Sequence, residues 1–132
     1  MPRRTTSTPC RVAIFSSNGE TLDGLQQYLF VAGVSCRSYR TPEEIDLVHE
    51  PATVLILFPD ELPLPAVFGL LGRLREARSN ALTLLVTRTP ARFREAAASD
   101  GRTRPPLILA KPVFGWTILE AIRAHSAKEE LP

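Results

Sequence analysis

Apolar residues follow two rhythms along this chain. The first is the short, largely continuous run: Val12-Ala13-Ile14-Phe15, Ala52 to Phe58, Ala81 to Thr87 and Pro106 to Ala110. Runs of this length, bounded by turn-forming residues, predict buried strands. The second rhythm is a spacing of three and four. Leu22, Leu25, Leu29 and Ala32 keep it, as do Val67, Leu70, Leu71 and Leu74. Trp116, Leu119 and Ile122 recur at three, with Ala121 and Ala124 as small neighbours. Such a stripe is what a helix needs to bury one side. Val34 to Tyr39 alternates instead, which predicts a half-exposed strand.

Glycine and proline punctuate these segments. Gly33 is placed to end the first helix. Thr41-Pro42-Glu43-Glu44 predicts a helix start, with Thr41 as cap, Pro42 in the first turn and Glu44 closing a capping box; Glu50-Pro51 ends it. Pro59 closes the third strand, since proline cannot donate to a ladder. Pro65 opens a helix running to about Arg78. Thr89-Pro90 repeats the start signal for a weak, Ala-rich helix from Ala91 to Ser99, closed by Gly101. Strand and helix alternate five times. This predicts an α/β fold: a doubly wound, five-stranded parallel sheet of flavodoxin-like type. One domain is expected over residues 11–127, between a tail at 1–10 and another at 128–132.

Composition narrows the class. With 132 residues, 44% hydrophobic and two cysteines, the chain can bury a core without a disulfide scaffold. It has no apolar run of about 20 residues, so no membrane span is expected, and the polar start suggests no signal segment. A cytoplasmic protein is the expectation. The net charge of +2 hides an asymmetry: residues 18–61 carry eight acids against two bases, and residues 62–112 nine bases against three acids. Such halves suit a charged protein partner as well as plain solubility. Nucleic acid is not expected, because the bases are not interleaved with aromatics and no helix-turn-helix follows Lys128.

In open parallel sheets ligands sit past the carboxyl ends of the strands. The residues there are Ser16, Ser17 and Asn18; Phe58, Pro59 and Asp60; Thr87 and Arg88; Lys111 and Pro112. From about Arg11 to His125 the chain resembles the receiver domain of two-component response regulators, the CheY-like family. Lys111-Pro112 matches that family's Lys-Pro after strand five, and Thr87 its Ser/Thr after strand four. Pro63 and Leu74-Arg75 match its proline and Leu-Arg around the third helix. The resemblance implies a (βα)5 fold and a signalling role. It also implies a pocket in which two acids after strand one and an aspartate after strand three gather Mg²⁺. The aspartate then takes a phosphoryl group whose oxygens the Thr and Lys bind.

The departures shape the expectation. The acid pair falls on Ser16 and Ser17, poor ligands for a hard cation. The acceptor falls on Pro59, which has no nucleophile; Asp60, one residue on, could serve only if the strand end shifts by one. Ile108 replaces the switch aromatic, and Arg102-Thr103-Arg104-Pro105 the Gly-Ala-Asp lead-in. The resemblance so modified is to a pseudo-receiver: a degenerate pocket, no metal, no cofactor, no enzymatic activity, and work done by protein–protein contact in a signalling pathway. Lys111 would then be structural, paired with Asp60, bonded to carbonyls or hydrated. The expected docking face is strand four, helix four, strand five and helix five, with Arg88, Arg92, Arg94, Arg102, Arg104, Phe114 and Trp116. A homodimer through that face is a further option.

Two other readings stand beside this one. Asp60 could be a conventional phosphoacceptor. Alternatively, Ser16-Ser17-Asn18-Gly19-Glu20-Thr21 resembles the flavodoxin phosphate loop and could bind phosphate or a flavin, although Ser, Asn and Gly are also ordinary turn residues. Asp60-Glu61 reads as a solvated loop pair, and His49 and His125 as surface residues at helix ends. Cys10 and Cys36 lack metal spacing. Trp116 could be core or an exposed anchor.

Overall fold

The computed structural model describes residues 11–42, 45, 53–77, 80–95 and 105–130. The expected 1–10 tail, the body of the Thr41–Glu50 helix, residues 96–104 with Arg102 and Arg104, and Cys10 and His49 lie outside them.

Five strands form: β1 Val12–Phe15, β2 Cys36–Tyr39, β3 Val54–Leu57, β4 Leu82–Thr87 and β5 Leu107–Ala110. They make one sheet in the order β2-β1-β3-β4-β5, parallel at every step. Strand side chains alternate between faces, so each strand feeds two cores. On one face Val12, Ile14, Val54, Ile56, Leu84 and Val86 pack under helices α1 (Gly19–Val31) and α3 (Gly115–Glu130). On the other, Ala13, Phe15, Leu55, Leu57 and Leu85 pack under α2 (Leu64–Glu76). All four residues of β3 are fully buried, which explains the near-continuous apolar run. Each such side chain contributes about 1.5–3 kcal/mol.

The punctuation acts locally. Asn18 caps α1, its side chain accepting from the N–H groups of Glu20 and Thr21. At the other end Gly33 takes φ +89°, with bonds from Gly33 N to Phe30 O and Val34 N to Leu29 O. That is a Schellman ending, and it needs the left-handed backbone that glycine adopts freely. Pro65 sits in the first turn of α2, whose Val67, Leu70, Leu71 and Leu74 face the core.

Three expectations need correction. The start at Pro90 is a 3₁₀ turn, Pro90–Phe93, not the first turn of an α-helix. Thr89 makes no side-chain cap, and the tight turn plants Phe93 in the core, 5.9 Å from the Phe68 ring. The stripe of α3 is Ile118, Leu119, Ile122 and His125, while Trp116 points outward. His125 is thus buried, at 4% exposure, and not a surface residue. Strand β5 is only half covered, as an edge strand.

Candidate functional site

The site lies at the carboxyl edge of β1, β3, β4 and β5. Strand β3 stops at Leu57, and after Phe58 the chain tightens into a 3₁₀ turn, Pro59–Glu61. Proline suits this place, because the turn's first residue needs no donor. Pro59 is buried, and the turn swings the next two side chains in different directions.

Asp60 turns towards β4 and β5. Its Oδ1 accepts from Thr87 Oγ1 at 2.7 Å, and its Oδ2 from the Arg88 N–H at 2.8 Å. Lys111 Nζ stands 3.6 Å from Oδ2. Thr87 is fully buried; its hydroxyl also accepts from Thr89 N at 3.1 Å, which orients it towards the carboxylate. Lys111 follows β5, its backbone N–H bonded to Thr87 O at 2.9 Å and its ammonium 5.7 Å from the centre of the Phe58 ring. The Lys111-Pro112 peptide is cis. Burial pushes the Asp60 carboxyl up, but the Thr87 hydroxyl, the Arg88 N–H and the Lys111 charge outweigh it and hold the carboxyl below its ordinary value.

Glu61 turns the other way, towards β1 and α1. Its Oε1 accepts from Ser16 Oγ at 2.5 Å and its Oε2 from Thr21 Oγ1 at 3.1 Å. Its backbone carbonyl accepts from both the N–H and the hydroxyl of Ser17. Ser16 is fully buried, and its oxygen also accepts from Asn18 N at 2.9 Å. The sequence placed neutral hydroxyls after β1 but missed the carboxylate that answers them from the next loop. Asp60 stays exposed and Glu61 half-buried, yet each carboxylate also accepts from side chains on other elements. The same bonds occupy the flavodoxin-like loop. The Ser16 and Thr21 hydroxyls face Glu61, and the first free N–H groups of α1 face Asn18. Among the described residues no three acidic, His or Cys side chains converge as a metal-binding group.

The expected docking residues leave the neighbouring strands β4 and β5. Arg88, Arg92 and Arg94 are exposed around the 3₁₀ turn. Phe114 and Trp116, at the start of α3, are 62% and 53% exposed and stack with ring centres 6.0 Å apart and planes 8° from parallel. Two large aromatics are thus paired in solvent at the start of α3.

No family model matches the chain, nor does any curated relative. Solved structures do. A receiver domain protein (CheY-like) from Methanospirillum hungatei superposes with a TM-score of 0.73 at 20% identity, over 93% of this chain and 98% of that one. A response regulator receiver protein from Sinorhizobium medicae gives 0.76 at 13%, over 92% and 98%. A two-component response regulator from Clostridium difficile gives 0.72 at 12%, over 92% and 99%. At these identities the likeness is one of fold: the chain has the CheY-like receiver architecture along nearly its whole length. No helix among the described residues is long and apolar enough to cross a membrane.

Proposed function

We propose that this chain is a signalling module that keeps the receiver shape and works by protein–protein contact, without phosphorylation and without enzymatic activity. The observation that carries the reading is the internal use of both carboxylates. Asp60 accepts hydrogen bonds on both oxygens and is paired with Lys111, so it is a weak nucleophile. The donors that would steady an incoming phosphoryl group are already engaged by Asp60 itself. Ser16 and Ser17 bring no charge for a divalent ion, and Glu61 is held by Ser16 and Thr21. The partner is a cytoplasmic protein whose surface offers acidic residues around an apolar pocket. It meets the Phe114–Trp116 step and the arginines Arg88, Arg92 and Arg94. A second copy of this chain is an alternative occupant of that face.

One observation favours a second reading. Asp60 stands beside Thr87 and Lys111, the company a phosphoacceptor would keep. Incubation with acetyl phosphate and Mg²⁺, followed by intact mass, separates the two. No added phosphate is expected. A gain of one phosphate that Asp60→Asn abolishes would establish a conventional acceptor and end the interaction-only reading.

A further inference from the structure

The two helices over one face of the sheet leave a cavity between them. It lies between α1 and the first turn of α3 and has a volume of about 300 Å³. It reaches down to Phe58 and Val86, two buried members of that face's core. None of the side chains that line it is charged. Two of them are aromatic: Phe58, 7% exposed, and Tyr28 on α1, 40% exposed. Two glycines keep the space open. A Cβ at Gly115 would come within 2.9 Å of the Tyr28 ring, so that ring lies against the start of α3 only because residue 115 has no side chain. Gly24 stands inside α1, one turn before Tyr28, where glycine disfavours the helix. A Cβ there would meet nothing within 4 Å, so close packing does not demand glycine. Its missing side chain is instead part of the opening.

We propose that this cavity is a binding site for a small, flat, uncharged ring compound of one or two fused rings. Volume sets the size: an apolar cavity of about 150 Å³ already takes a benzene ring, and this one has room for a second. The lining sets the charge. An ion would lose its hydration there, and no lining side chain would offset the loss. Phe58 and Tyr28 set the shape, since aromatic rings pair best with other rings, offset or edge to face. Neither residues 1–10, whose one large apolar side chain is Met1, nor Leu131, which follows the sixteen-residue α3 leading away from the cavity, brings a ring to fill it. The inference goes beyond the reading above and holds whether or not Asp60 takes phosphate. It gives the module a chemical input of its own.

The test is a titration of the whole chain with indole, followed by ¹⁵N–¹H resonances. Saturable shifts are expected, largest at the amides of Gly24, Tyr28, Val86, Val113 and Gly115. Benzoate, which keeps a ring and adds a charge, should bind about tenfold more weakly or worse. Gly24→Leu fills the opening with a residue that helices prefer, and should weaken indole by about tenfold or more. Gly115→Ala, which displaces the Tyr28 ring, should weaken it too. Four results would each overturn the proposal: no saturable shift, shifts centred on Phe114 and Trp116, benzoate bound as tightly as indole, or either glycine variant binding indole as the unaltered protein does. If the variants do not fold, the place of the shifts in the unaltered protein still decides. No phosphoryl donor is present in the titration, so a negative result leaves the interaction reading standing, and acetyl phosphate labelling remains the separate test of that reading.

Discussion

A carboxylate that holds a hydroxyl, an amide and an ammonium makes a fold sensitive to acid. The Asp60 carboxyl is held below its ordinary value, so its contribution is present in full above the unfolded-state value of about 3.9 and is lost as pH falls through the folded one. Urea denaturation followed by circular dichroism should therefore find Asp60→Asn less stable than the unaltered protein at neutral pH. The gap should begin to narrow as pH falls below about 3.9 and close only below the folded-state value, where the Asp60 carboxyl is as uncharged as the amide that replaces it. A gap that persists unchanged into acid would mean that size and not charge is what Asp60 supplies. These contacts were hard to read in the sequence for a plain reason. Asp60 meets residues 27 and 28 positions away, and Glu61 meets residues 40 and 45 positions away. An adjacent Asp-Glu in a loop looks solvated unless the opposite loop is known. Thr87 and Lys111, by contrast, were placed correctly by strand counting alone, because each directly follows or ends a run of apolar residues.

At the scale of the element, α3 shows how a spacing can be right and its phase wrong. Trp116, Leu119 and Ile122 do recur at three, yet the buried stripe is Ile118, Leu119, Ile122 and His125. The three-residue spacing takes in Trp116, which the sequence leaves open between core and exposed anchor, and His125 reads as a surface residue from its place at the helix end. The helix follows the 3.6-residue period, which Ile118 and Ile122 satisfy over the sheet. Substitution separates the two phases. Ile122→Ala should cost about 2–5 kcal/mol, since it empties a buried site. Trp116→Ala should stay within about 0.5 kcal/mol, as expected of an exposed residue without core contacts. Equal losses in chemical denaturation would contradict the assigned face. Elsewhere, element type was legible wherever one rhythm ruled: β3 and β4 from their unbroken runs, α1 and α2 from their leucine spacing. The 3₁₀ turn at Pro90 was not, because Thr-Pro announces a start and says nothing about how tightly the turn winds.

The molecule as a whole is a sheet with a core on each face, and its stability is graded across the strand order. Strands β1, β3 and β4 have neighbours on both sides and are buried throughout. Strands β2 and β5 are the edges and are only partly covered. Native-state hydrogen exchange should thus find the amides of β3 opening only with global unfolding, and those of β5 opening at lower free energy. Uniform protection across the sheet would refute this gradient. A five-stranded, doubly wound parallel sheet followed from alternation and the rules of parallel sheets, whereas the depth of cover at β5 depends on tertiary contacts that no local pattern encodes.

Trp116 is the chain's single tryptophan, and it stands in solvent stacked on Phe114. Its fluorescence therefore arises from the face assigned to docking and from nowhere in the interior. Unfolding should change that emission little, while anything that settles on the aromatic step should shift it to the blue. The protein carries its own optical reporter at the spot where a visitor would land.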